Sequence, residues 1–246
     1  MRFAARTGAI MERTYISGGM VYDGTGKEPF CGDIVINGNT IEAVLPHSED
    51  RFTGKNGRLI LAQGLAVTPG FVDVHRHCDL AALTDPDFGR QELKQGITSV
   101  LAGNCGMGLA PSSDGSRAAM YRFLEPCLGK APEDLRFPDF RSYMDALHAK
   151  KLPLHVDAMV GTGAVRIAVK GFSEIPFSKR ELDTACGLLA EAFGQDAQAV
   201  SAGIMYVLEY FNTREEWYAL CRRMPGFLPS MSQEKGTGAF FREGGY

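Results

Sequence analysis

The change of texture at Val67 constrains this chain more than any other feature. Before it, residues 14–66 read as short β-branched runs broken by turns; after it, apolar runs of strand length alternate with helical stretches. In the first part, Ile34, Val35 and Ile36 lead into Asn37-Gly38 and then Ile41 to Leu45. An Asn-Gly step between two such runs is a strong hairpin signal, because the tight turn that joins twisted strands needs left-handed backbone. With "TYISGGMVYDGTG" before it and "GRLILAQGLAVTPG" after it, the segment reads as a small antiparallel β module. In the second part, strands are expected at Gly70–His75, "GITSVLAG", "LPLHVDAMVGTG" and "AQAVSAGIMYV". Helices are expected near 86–95, 115–127 and 137–150, and in "SKRELDTACGLLAEAFG" and "NTREEWYALCRRM". Ser178, with Glu181 three residues on, supplies a capping box for the fourth of these helices. Alternation of this kind predicts an α/β unit with a parallel sheet covered by helices.

The expected organisation is a loose extension over 1–13, the β module over 14–66, and an α/β domain over 67–246. A (β/α)8 barrel takes ~250 residues, whereas about 180 follow the module here and four or five strand–helix units can be marked. The sheet is therefore either open and small or a partial (β/α)8 barrel of the TIM type.

Composition narrows the function classes. The chain is 45% hydrophobic with a formal charge of −3, an ordinary globular balance. No basic run exceeds Lys150-Lys151 or Arg222-Arg223, so no nucleic-acid partner is expected. No apolar run reaches the ~20 residues of a membrane span, and the N-terminal stretch has no secretory apolar core. The six cysteines are widely spaced, without a C-x-x-C pair, which argues for a reducing, cytoplasmic setting rather than a disulfide scaffold.

The chemistry concentrates in "FVDVHRHCDL", residues 71–80. On a strand, His75 and His77 share one face and Arg76 takes the other. Two readings stand at this point, a pair of metal ligands and two histidines at a strand terminus. Cys105 ends the next expected strand between Asn104 and Gly106; it is either a thiolate ligand or a small buried hydrophobe. Asp73 lies on the strand face of His75 and suits an orienting carboxylate, or a buried structural one. His47, His148 and His155 read as exposed or structural. Cys78 points away from His77 if the strand continues, and Cys31, Cys127, Cys186 and Cys221 read as packing residues in turns or helices. The glycine-rich "VGTGAVRIAVKG" lacks the G-x-x-x-x-G-K-[ST] pattern, and Arg166 stands where a third glycine would, which argues against nucleotide binding.

Taken together and in order, "GGMVYDGTG", "VTPGFVDVHRHCD", "GITSVLAGNCGMGLAP", "VDAMVGTGAVRIAVKG" and "SAGIMYVLEYFNTREE" resemble the amidohydrolase superfamily, in its N-acyl-D-amino-acid deacylase (D-aminoacylase) branch. The resemblance runs from about Tyr15 to about Arg223. It implies a zinc-dependent hydrolase of non-peptide amides, acting on a small N-acyl amino acid or related amide. The fold it implies is a metal-bearing barrel with a small β-sandwich built from both chain ends. By that resemblance His75, His77 and Cys105 are metal ligands; from their positions beside these residues, Asp73, Asn104 and Gly106 are expected in supporting or substrate-loop roles. No histidine follows His155, so the family's later metal histidines and its catalytic aspartate have no counterpart. The expectation is a chain ending partway through the barrel. The alternatives are a subunit that depends on a complementing C-terminal polypeptide or on self-association, and a non-catalytic relative. A cyclic amide or imide hydrolase, of the dihydroorotase or hydantoinase kind, is a further alternative.

Overall fold

The computed structural model describes residues 13–207, 209–222 and, as backbone, 237–241. The extension expected over 1–13 lies outside these residues except for Arg13, which opens the first strand. The chain divides into two compact units, residues 1–70 and 71–246.

The first unit is built on β1 (Arg13–Val21), β2 (Phe30–Asn37), β3 (Thr40–Pro46), β4 (Arg58–Leu61) and β5 (Ala66–Val67). Strands β1, β2 and β3 form the antiparallel meander, and the expected hairpin joins β2 to β3 with Asn37 opposite Thr40. The module is nevertheless mixed rather than antiparallel, because β4 and β5 pair with the other edge of β1 in parallel. The long return through residues 47–57 makes this possible, since a parallel partner needs a crossover that a tight turn cannot supply. Tyr15, Val35 and Phe52 form its small core, with the Tyr15 and Phe52 rings 4.6 Å apart.

A bulge in β1 between Ile16 and Gly19 frees the Gly18 N–H from the ladder. Asp33, fully buried on β2, takes it at 3.0 Å. The same carboxylate accepts from Ser17 Oγ, the Ser48 N–H and Arg51 Nε, and meets His47 Nδ1 at 2.7 Å. His47 is thus half-buried and paired, not exposed as its loop position suggested. Burial alone would push the Asp33 carboxyl up; this set of donors outweighs it and holds the group at about 2.

The second unit begins with β6 (Phe71–Asp73), α1 (Ala81–Thr84), α2 (Arg90–Lys94) and β7 (Ile97–Ala102). It continues with α3 (Arg117–Leu128), α4 (Phe140–Ala149), β8 (His155–Ala158), β9 (Val160–Gly161) and α5 (Thr162–Lys170). The last elements are α6 (Lys179–Gly194), β10 (Ala199–Gly203), α7 (Arg214–Arg222) and β11 (Thr237–Phe241). Strands β6, β7 and β8 pair in parallel in that order, and β9 pairs in parallel with β10. Strands β8 and β9 are separated only by Met159, whose N–H reaches the Ala102 carbonyl at 2.9 Å. Strand β11 pairs with β10 antiparallel, against the expectation of parallel units throughout.

The core lies between these strands and their helices. Val100, Ala102, Val156 and Val200 meet Met120 and Leu124 of α3, Tyr143 and Leu147 of α4, and Leu189 of α6, all buried. Burying each large side chain is worth ~1.5–3 kcal/mol. Helix α5 begins in the stretch expected as strand and runs on through residues for which the sequence predicts no element. Glycine and β-branched residues lower its intrinsic helix propensity; burial of Thr162 through Ile167 outweighs that. The cysteine reading needs amending too: Cys31 lies on strand β2 and is exposed, and Cys127 is exposed on α3, so neither is a core packing residue. No helix among the described residues is long and apolar enough to cross a membrane.

Candidate metal centre

The site is assembled from the segments that follow β6 and β7. Strand β6 ends at Asp73, two residues short of the expected His75. The Asp73 carboxylate accepts the His75 backbone N–H at 3.1 Å, a local bond that competes with strand pairing and turns the chain. Asp73 therefore shapes the loop through the backbone of His75 rather than through its imidazole. His75 and His77 leave the strand, and the loop rather than strand alternation brings them together, with ring centroids 5.6 Å apart at 73°. Arg76 points away as expected: it pairs with buried Glu92 of α2, while its N–H bonds the Leu101 carbonyl at 3.3 Å.

Cys105 follows β7 in the turn Gly103–Gly106. Its Sγ lies 3.3 Å from His75 Nε2. One ligand atom from each of His75, His77 and Cys105 falls within 4.8 Å of the others, and they are the only such group of His, Cys, Asp or Glu among the described residues. Cys105 is buried, His77 half-buried and His75 exposed, so the trio opens on one side. His77 Nδ1 is buried without a hydrogen-bond partner. Burial, aided by the neighbouring His75, lowers the His77 pKa and favours the neutral imidazole, the ligating form. Burial raises the Cys105 thiol, an effect that the Tyr206 hydroxyl opposes and the Glu209 carboxylate reinforces.

The supporting residues have definite contacts. Asn104, buried, donates to the Leu101 carbonyl at 2.7 Å and to the Arg76 carbonyl at 3.4 Å, and so ties the cysteine turn to the histidine loop. Gly106 has φ +70, and a Cβ there would collide with the Glu209 carboxylate and meet the Gly203 nitrogen at 2.9 Å. Ser201, Thr162, Tyr206, Glu209 and Asp79 all border this region and were not singled out from sequence. Four of them lie far along the chain from Cys105, where no spacing rule connects them. Asp79 sits two residues past His77 and could have been found as the carboxylate of an H-x-H-x-D run. It is fully buried, and burial lifts its carboxyl to about 7. The N–H groups of Asp79 and Gly103 offset that in part, neither reaching hydrogen-bond geometry. The other histidines lie outside the trio: His155 starts β8 with Nε2 2.8 Å from Asp157, and His148 is exposed near the end of α4.

Two histidine nitrogens and a thiol sulfur suit zinc, which is bound by imidazole and thiolate and in catalytic sites keeps a position open. No family model matches the chain. It is 32% identical over 211 residues to an N-acyl-D-aspartate deacylase of Alcaligenes xylosoxydans xylosoxydans, an alignment covering 86% of this chain and 40% of that one. A D-aminoacylase structure, studied for the functional role of its binuclear metal centre, superposes with a TM-score of 0.73 at 29% identity over 85% of this chain and 42% of the other. The N-acyl-D-glutamate deacylase of Bordetella bronchiseptica, in complex with zinc and a phosphonate mimic of the tetrahedral intermediate, gives 0.71 at 27% identity, covering 87% and 43%. The chain thus spans about two-fifths of the length of these relatives.

Proposed function

We propose, since the chain belongs to the D-aminoacylase branch of the amidohydrolases, that His75, His77 and Cys105 hold a zinc ion and form part of a site that hydrolyses N-acyl D-amino acids. The observation that carries this reading is the convergence of three donors within 4.8 Å of one another, from two segments about thirty residues apart. The parallel order β6, β7, β8 and the β9–β10 pairing support a second unit laid out as the opening strands of a (β/α)8 barrel. In such a barrel the residues just past the strand C-termini carry the chemistry, and all three donors stand there.

When bound, zinc supplies Lewis acidity toward the acyl carbonyl and acidifies water. This chain's own residues orient that chemistry. Asn104 and Asp73 fix the two loops, and neutral His77 and Cys105 offer donors from the buried side. Exposed His75 marks the side open to an N-acyl amino acid. Proton transfer to the leaving amine needs a carboxylate at the reacting bond; beside the trio, Asp79 and Glu209 are buried away from a substrate and Asp73 is engaged by the His75 N–H. Turnover by this chain is therefore assigned to its assembly with further polypeptide, either a complementing segment or a second copy. Exposed Phe71 and Val72 on strand β6, which pairs only with β7 among the described residues, support such an addition.

The test has two arms. Zinc uptake, followed by competition with a chromophoric chelator, is expected to be stoichiometric and to weaken by at least about tenfold in His75→Ala, His77→Ala and Cys105→Ala. Uptake indifferent to all three substitutions would sink the metal reading. Hydrolysis is then assayed on N-acetyl D-glutamate, D-aspartate and D-leucine against hydantoin and dihydroorotate, with and without polypeptide matching the remaining length of the relatives. Linear D-amides are expected to turn over in the complemented protein alone; preference for the cyclic amides would reassign the substrate class.

A further inference from the structure

We propose that Ser201 and Glu209 are positioning residues that hold Cys105 in a left-handed backbone conformation and thereby aim its thiol at His75; this rests on reading His75, His77 and Cys105 as a metal-binding set. Cys105 has φ +60; among the described residues, Asp196 is the other non-glycine residue with positive φ. That conformation is unfavourable for an ordinary L-residue and persists only where the surroundings over-determine it.

The surroundings here are specific. Ser201 Oγ accepts the Gly106 N–H at 3.0 Å and donates to the Gly103 carbonyl. A single hydroxyl thus ties both ends of the four-residue turn, across a sequence separation of 95. Ser201 is 1% exposed, so water is a poor competitor for either bond. Glu209 closes the turn from behind. One carboxylate oxygen accepts the Gly203 N–H at 2.8 Å, and the other meets Thr162 Oγ1. Thr162 Oγ1 also donates to the Ser201 carbonyl at 3.0 Å. Its one proton can serve only one of these acceptors, and a carboxyl proton on Glu209 completes the other contact. Burial raises the Glu209 carboxyl to about 7, in keeping with that arrangement. The carboxylate fills the space in which a side chain at 106 would stand. Ser201 thus ties the turn that carries Cys105 at Gly103 and Gly106, and Glu209 packs against the same turn at Gly106.

The test is a double-substitution cycle on the full chain, read as zinc affinity by chelator competition. It compares the wild type with Ser201→Ala, Cys105→Ala and the double variant. Ser201→Ala is expected to weaken zinc about tenfold where Cys105 is present and less than about twofold where Cys105 is alanine, because the coupling runs through that one side chain. Equal weakening in both backgrounds, or none in either, overturns the proposal, since a general loss of structure does not depend on Cys105. Where Ser201→Ala does not fold, Glu209→Ala takes its place in the same cycle with the same expected pattern. A wild-type chain without zinc affinity would end the metal reading and leave this one to the thiol itself. Alkylation of Cys105, followed on its peptide by mass spectrometry, is then expected to rise about fivefold or more in Ser201→Ala as the turn opens; an unchanged rate overturns the proposal.

Discussion

At the scale of single residues, Asp33 has the clearest energetic role. It is a fully buried carboxylate whose lone pairs are taken by backbone, serine, arginine and histidine donors. Asp33→Asn keeps the shape and removes the charge that these donors face, and is expected to destabilise the first unit by about 2–4 kcal/mol in urea unfolding. The pH dependence has a definite sign. The folded carboxyl titrates at about 2, below its unfolded value. Its contribution is therefore fully present above pH ~4 and is lost as pH falls toward 2, a change of about 2 kcal/mol. The Asn variant should lack this part of the acid-stability curve, and a curve unchanged by the substitution would show that Asp33 is not its source.

The candidate ligands were legible for a simple reason. His75, His77 and Cys105 are chemically distinctive and sit at segment ends that hydrophobic runs announce. The backbone state that presents them was not. The step from strand to loop at Asp73 depends on a carboxylate folding back onto the His75 N–H, and the Cys105 turn on a serine near the far end of the chain.

At the scale of elements, α6 shows what local signals can decide. Ser178 Oγ accepts the Glu181 N–H and the Glu181 carboxylate accepts the Ser178 N–H, the reciprocal pair read from the sequence. Glu181 also holds Lys170, the last residue of α5, at 2.8 Å, which joins the end of one helix to the start of the next. Ser178→Ala is expected to cost about 1 kcal/mol by thermal or urea unfolding. Glu181→Ala should cost more, because it removes the second half of the box and the lysine contact together. A larger loss for Ser178→Ala than for Glu181→Ala would contradict this assignment. Helix α5 and the parallel partners of β1 were not legible. Both are decided by contacts between segments distant in sequence, which override propensity and nearest-neighbour hairpin logic.

At the scale of the molecule, the chain divides into compact units after Gly70, and the texture of the sequence changes near Val67. The parallel strand order of the second unit followed from alternation alone. The antiparallel pairing of β11 did not, since nothing in "TGAFF" encodes a direction.

The candidate site is also a place where main chain lies directly on main chain. The Gly106 carbonyl accepts the Ala164 N–H at 3.0 Å, and side chains added at Gly161, Gly163 or Gly203 would strike the backbone of the cysteine turn. With no side-chain layer to absorb motion, the turn after β7, the start of α5 and the end of β10 cannot open separately. Amide protons there are therefore expected to exchange with deuterium as one cooperative group. The amides of Gly106, Ala164 and Gly203 should share a single opening free energy, and Ser201→Ala should lower all three together. Exchange by mass spectrometry or NMR that finds three unrelated rates would show three independent loops rather than one mechanical unit.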